Sequence, residues 1–288
     1  MSSRFEIAVD DRVLTAEVTG DPEGIPVFLL HGTPGSYAGP KPRSSVLYQQ
    51  GVRLICHNRP GYGGSTRLPG RRVADAAHDV ETVADALGID RFCVVGRSGG
   101  GPHALACAAL LPRRVTRAAV LVGLAPANAA GLDWYEGMSE ENARNHATGE
   151  RGDADLMREM IDLAVRTAAD PEGFIDELRA QASEPDLRFM DSVMYRRLLT
   201  ASYTEALRIG PYGWLDDIVA FRGDWGFALD HIRPPVRLWH GAADTFSPAS
   251  HSKWLASRIP RAEVHVQYGA AHFGAVEVLP RILSWLTA

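Results

Sequence analysis

The chain has 288 residues, 45% of them hydrophobic and 23% charged, enough for one large α/β unit with an inserted subdomain. A formal charge of −5 offers no basic field to nucleic acid or anionic lipid, and no apolar run approaches the roughly 20 residues of a membrane span. The opening MSSRFEIAVDD lacks the apolar core of a signal peptide, and Cys56, Cys93 and Cys107 each lie in an apolar stretch, so buried free thiols in a reducing cytoplasm are expected. Residues 5–9 and 13–18 alternate apolar and polar side chains around Asp10-Asp11, as a hairpin does. Residues 27–30 and 53–56 are short apolar runs closed by HGTPGS and HNRPGYGGS. Apolar spacing predicts a helix over 73–87, ended by Gly88. Two further buried strands, 92–95 and 119–122, flank a helix over about 98–111, a rhythm that implies parallel pairing and right-handed crossovers.

Between 126 and 225 the pattern changes to helical stretches without a strand, carrying 20 acidic residues against 10 arginines. This acidic, all-helical segment reads as a subdomain inserted into a core formed by 1–125 and 226–288. The α/β rhythm then resumes with a strand over 236–240, a helix over 248–259, a strand over 264–268 and a closing helix over 276–286.

Chemistry concentrates at the strand ends. Gly96-Arg97-Ser98-Gly99-Gly100 fits G-x-S-x-G at a strand-to-helix junction. A serine at so sharp a turn sits in strained backbone, so small residues are needed two positions to either side, and the helix N-terminus beneath favours developing negative charge. A glycine-rich turn with an incidental serine is the alternative. A serine nucleophile needs a base, and the base needs an orienting carboxylate. Asp244, in LWHGAADTFSP, follows the strand 236–240; His272, in YGAAHFG, follows the last strand. Each alone reads equally as a helix-capping aspartate or an exposed loop histidine; together with Ser98, in the order Ser, Asp, His, they read as a catalytic triad. Such a hydrolase also needs two backbone N–H groups for its oxyanion. Gly99 supplies one and Thr33 of HGTPG the other, since Pro34 has no N–H. His31 reads as a residue that orders this loop, because His272 holds the better position for a base.

Together HGTPG at 31–35, RPGYGGS at 59–65, GRSGG at 96–100, HGAAD at 240–244 and GAAHF at 269–273 resemble the α/β-hydrolase fold superfamily, in its branch with a helical cap. The resemblance implies a mostly parallel eight-stranded sheet flanked by helices, with 126–225 as an all-helical cap. It implies Ser98 as nucleophile, His272 as base, Asp244 as acid, and Thr33 and Gly99 as oxyanion donors. Two residues depart from the pattern. Arg97 is an unusual charge beside the nucleophile and reads as a salt-bridged structural residue rather than a substrate clamp. Gly100 is taken to stand where many relatives carry a bulky apolar residue, which would widen the pocket or loosen the elbow. Gly101 reads as slack at the helix entry and His103 as a packing residue.

No Walker or dinucleotide-binding motif occurs, nor H-E-x-x-H or a metal-ligand cluster, so no cofactor and no metal are implied. The expected partner is a small-molecule substrate, with neither nucleic acid nor membrane. The leading reading is a serine hydrolase of an ester, thioester or lactone. Pro34, Trp134 and Phe273 are its candidate pocket residues, and the acidic insert favours neutral or cationic substrates. A proline-iminopeptidase-like peptidase, a carbon–carbon bond hydrolase and a cofactor-free perhydrolase share the triad. A ligand-binding sensor on the same scaffold is the non-enzymatic alternative. Relatives that open epoxides or displace halide place aspartate at the elbow, so Ser98 argues against both.

Overall fold

Short apolar runs, each stopped by a glycine- or proline-rich turn, become the strands of one sheet in the computed structural model of the chain, which describes residues 2–140, 142–143 and 153–288. In chain order they are β1 (Ser3–Val9), β2 (Arg12–Gly20), β3 (Ile25–Leu30), β4 (Val52–His57), β5 (Phe92–Arg97), β6 (Val115–Leu121), β7 (Val236–Gly241) and β8 (Ala262–Gln267). Their spatial order is β1-β2-β4-β3-β5-β6-β7-β8. Strand β2 runs antiparallel to both β1 and β4, and every other pairing is parallel. Parallel neighbours cannot be joined by tight hairpins, and helices α1 (Ser44–Gln49), α2 (Ala76–Ala86) and α3 (Gly100–Leu110) supply the first crossovers.

Side chains along a strand alternate between faces, and both faces here are covered. Phe28 and Leu30 of β3 pack with Val80 and Val83 of α2 and Leu105 of α3. Val27 and Leu29 face the other way, among Leu47 of α1 and residues of the closing helix such as Leu279 and Leu283. Strands buried on both faces read as continuous apolar runs, which is why β3 to β7 are conspicuous in the sequence. Strand β8 lies at the sheet edge with its residues exposed or half-buried. It spans Ala262–Gln267 rather than 264–268, and Tyr268 is 89% exposed beyond its end. The helix expected over 73–87 opens with a 3₁₀ turn, Val73–Asp75, and Gly88 at φ +67° leads the chain out of it. Cys56, Cys93 and Cys107 are buried and unpaired.

Between β6 and β7 the described residues form α4 (Asp153–Ala169), α5 (Pro171–Gln181), α6 (Glu184–Met190), α7 (Val193–Ala206) and α8 (Tyr212–Arg222), with no strand among them. Residues 141 and 144–152, where helical character was also expected, lie outside the described residues. Ile175, Phe189, Tyr195, Leu199 and Tyr203 form an apolar cluster within this insert. Ala220 and Phe221 of α8 instead join the cluster beneath the sheet. The chain returns to β7, α9 (Ala249–Ala256), β8 and α10 (Ala275–Leu286). No helix among the described residues is long and apolar enough to cross a membrane.

Candidate active site

The turn from β5 into α3 is fixed by contacts that leave no room for side chains. Ser98 adopts φ +52°, a left-handed conformation costly for any residue with a Cβ. Its N–H donates to Leu121 O at 2.8 Å, and its carbonyl accepts from Gly101 N–H at 2.8 Å. A Cβ on Gly96 would lie 2.1 Å from Gly100 O, and one on Gly100 would lie 2.1 Å from Leu30 O. Gly100 therefore seats α3 against β3 and does not widen the pocket, contrary to the expectation from sequence. Gly99 is the residue that faces the HGTPG loop, for its Cβ would meet Thr33 Oγ1 at 2.2 Å. Gly101 is no slack either: a Cβ there would meet Val120 Cγ1 at 2.8 Å.

The loops after β7 and β8 bring Asp244 and His272 together. His272 Nδ1–H donates to Asp244 Oδ2 at 2.9 Å, which leaves Nε2 as the basic nitrogen. Asp244 Oδ1 accepts the N–H groups of Phe246 and Ser247 at 2.8 and 2.9 Å, and His240 Nε2 lies 3.2 Å from Oδ2. Burial alone would raise the Asp244 carboxyl. The His272 charge and the hydrogen bonds of His240 and His272 outweigh it, and hold the group well below the usual carboxylate range. For His272, burial disfavours the cation, but the Asp244 charge and hydrogen bond and the Asp186 charge raise it above the ordinary histidine value.

Asp186 of α6 was not singled out from the sequence, where it reads as an ordinary first-turn acid. Its two carboxyl oxygens accept the backbone N–H groups of His272 and Phe273 at 2.9 and 2.8 Å. Burial pushes it up to about 6, against the pull of the His272 charge and the Phe273 N–H.

The HGTPG loop is clamped from below. His31 Nδ1–H donates to Gly32 O at 2.8 Å and Nε2 accepts Arg59 N–H at 3.2 Å, so this buried imidazole is neutral and structural. The Arg59 guanidinium reaches His31 O at 2.5 Å, Gly32 O at 3.1 Å and Thr33 Oγ1 at 2.9 Å. Asp217 of α8, fully buried, pairs with Arg59 at 2.5 Å and Arg71 at 2.6 Å and accepts from Thr33 Oγ1 at 2.6 Å and Tyr62 OH at 2.8 Å. Burial opposes its charge, and the two arginines overcome that and hold Asp217 far below the carboxylate range. His103 belongs to this network and is more than packing. Its Nδ1–H donates to Gly99 O at 2.8 Å, Nε2 lies 3.7 Å from Asp217 Oδ1, and burial drops its pKa to about 3. The pair of aspartates in the largely apolar YGWLDDIVAFR was the available signal for Asp217.

A cavity of about 430 Å³ lies over these loops. Ser98, His272, Thr33 and Gly99 line it, with Pro34 and Phe273 of the three candidate pocket residues. Asp244 is buried behind His272. Trp134 lies elsewhere: its Nε1–H donates to Ala125 O at 3.0 Å and its ring packs edge-on to His251. Phe246, missed from the sequence, flanks His272 at 5.3 Å and lines the cavity. Helices α4, α5, α7 and α8 contribute the opposite wall. Arg97 also lines the cavity and, against expectation, forms no salt bridge with any described residue; its hydrogen bond is a 3.5 Å contact to Pro40 O. Among the described residues no group of three or more His, Cys, Asp or Glu is placed to hold a metal ion.

Parallel strands that deliver a strained serine and a His–Asp pair to one crevice define a hydrolase of the α/β class. Residues 25–277 match the family model described as the α/β hydrolase fold, and the chain belongs to that family. It is 30% identical to a 2-hydroxymuconate semialdehyde hydrolase of Pseudomonas putida, over 88% of this chain and 83% of that one. It is 28% identical to a proline iminopeptidase of Neisseria gonorrhoeae, over 93% of each. Among solved structures it is similar in fold to an esterase from Thermogutta terrifontis, with a TM-score of 0.67 at 21% identity, covering 99% of this chain and 96% of that one.

Proposed function

We propose that this α/β hydrolase is a serine hydrolase that cleaves an ester, thioester or lactone of a small, largely apolar molecule through an acyl-enzyme on Ser98. The reading rests on Ser98, held at φ +52°, and the His272–Asp244 pair opening into one cavity. His272 Nε2 takes the Ser98 proton as Oγ attacks the carbonyl carbon, and Asp244 stabilises the imidazolium that forms. The N–H groups of Gly99 and Thr33 receive the oxyanion. The leaving group departs with the proton from His272, and water, activated by the same base, releases the acid. Residues 126–225 serve as the cap that shapes the acyl pocket over a core of 1–125 and 226–288.

A second reading keeps these residues and moves the scissile bond to carbon next to a carbonyl. It is supported by the 30% identity to the semialdehyde hydrolase. A fluorophosphonate probe is expected to label the wild-type protein and not Ser98→Ala; equal labelling of both sinks the nucleophile assignment. Turnover of a panel of acyl esters, lactones, aminoacyl amides and 1,3-diketones then separates esterase from peptidase and carbon–carbon hydrolase. Binding of panel members without turnover of any would favour a sensor.

A further inference from the structure

The three arginines buried among the described residues find carboxylates. Arg59 and Arg71 share Asp217, and Arg12 pairs with Asp79 at 2.9 Å. Arg97 does not. It is half-buried, directly precedes the nucleophile, lines the cavity, and has no carboxylate within ion-pairing distance among the described residues. A guanidinium fork satisfied only by one long contact to Pro40 O has donors left for a ligand.

Two phenols line the same cavity from the opposite wall. Tyr195 and Tyr203 of α7 bury their rings and line the cavity, yet neither hydroxyl has a hydrogen-bond partner among the described residues. The Arg97 charge acts on both of them and on His272. Burial nevertheless raises both phenols, Tyr195 to about 12, so both remain O–H donors. The carboxylates that line the cavity, Glu159, Asp162 and Glu177, are exposed on the outer helices α4 and α5, as is the second lining cation, Arg166. The acidic residues of the insert that line the cavity thus lie on its outer part. The buried Asp186, whose charge also acts on Tyr195, is occupied by the His272 and Phe273 N–H groups, and the side chain directly before Ser98 is a cation.

We infer that Arg97, with the hydroxyls of Tyr195 and Tyr203, forms a subsite for a carboxylate on the substrate, so that the preferred acyl compound carries a free carboxylate in addition to the bond that is cleaved. A planar acceptor-only anion matches the guanidinium fork. The inference rests on the serine-hydrolase reading for the reaction, and on the cavity alone for the binding.

The decisive measurement compares p-nitrophenyl hemiesters of glutaric and adipic acid with the p-nitrophenyl esters of pentanoic and hexanoic acid, corrected for spontaneous hydrolysis. In each case water adds to the acyl carbon, the acyl–oxygen bond breaks, and p-nitrophenol leaves. The wild-type protein should favour the hemiester in kcat/KM by about tenfold to a hundredfold, the range of a charge-assisted contact. Arg97→Gln should bring the ratio to one or below, and Arg97→Lys should restore part of it. An unchanged ratio in Arg97→Gln, or a wild-type ratio of one, overturns the subsite. Calorimetry with adipate and Ser98→Ala separates the two claims. If no ester is turned over but adipate binds and Arg97→Gln in that background abolishes binding, the subsite stands and the hydrolase reading falls. If esters are cleaved without preference and adipate does not bind, the reverse holds.

Discussion

Asp217 is one carboxylate facing two buried guanidiniums, and its removal would leave Arg59 and Arg71 in the protein interior without a counter-charge. Breaking a buried pair from one side costs about 3–5 kcal/mol. Asp217→Ala should lose stability on that scale in urea unfolding, and should lose kcat as well because Thr33 Oγ1 loses its acceptor and Arg59, its remaining partner, loses its counter-charge. His272 and Asp244 give a pH prediction of definite sign. The base must be neutral to accept the Ser98 proton, and its pKa is raised above the ordinary 6.5. The acidic limb of kcat/KM should therefore fall above pH 6.5 in the wild type and move downward in Asp244→Asn, whose residual activity is read as a full pH–rate profile. The stability His272 contributes is complete below its unfolded value and fades as pH rises through the higher folded value. Asp244, with its depressed value, contributes above the unfolded carboxylate range and loses that contribution as pH falls. At this scale the candidate residues Ser98, Asp244, His272, Thr33 and Gly99 are legible in the sequence, because each lies in a short motif at a strand end. The sequence does not disclose Asp186, Arg71 or Asp217, whose partners are remote in the chain. It also misdirects at Arg97, for nothing in GRSGG tells whether a carboxylate waits nearby.

The turn around Ser98 behaves as one rigid element, since Gly96 and Gly100 face backbone rather than flexible side chains. Gly100→Ala would press a methyl group against Leu30 O, an overpacking that costs about 1–3 kcal/mol or more. A lowered Tm for Gly100→Ala, with recovery of neither Tm nor activity in Gly100→Ser, is the expected outcome. A Gly100→Ala protein as stable and active as the wild type would show that the turn yields. Elements buried on both faces are legible because the sheet demands a continuous apolar run. Helix α1 is not, since six residues with Leu47 alone fully buried leave no periodicity to read. The ends of β6 and β8 are displaced for a similar reason. Val122 bends out of the sheet at φ +48°, and β8 keeps only one covered flank.

Across the whole molecule, the helices between β6 and β7 reach into the machinery at two points. Asp186 holds the His272 loop and Asp217 holds the Thr33 loop, at sequence separations of 86 and 184. Composition predicts an acidic helical insert over 126–225; separations of that length hide what its helices touch. Asp186→Ala should lower kcat by roughly tenfold to a hundredfold, the scale of an unsatisfied pair of buried donors. It should also shift the acidic limb of the pH profile downward, because a negative charge beside the imidazolium is lost. Asp186→Asn, which retains an acceptor for one N–H, should recover part of kcat without recovering the pH shift. A loss of stability alone, with the profile unmoved, would reduce Asp186 to scaffolding.

The two aspartates also bear on transplantation. Helices borrowed from another hydrolase to change what this enzyme accepts would bring a new roof and remove two struts from the floor. Arg59 and Arg71 would be left as orphan cations, and the base loop would lose its tether. A successful chimera must inherit both carboxylates, so selectivity can be redesigned freely only on the faces of these helices turned toward the cavity.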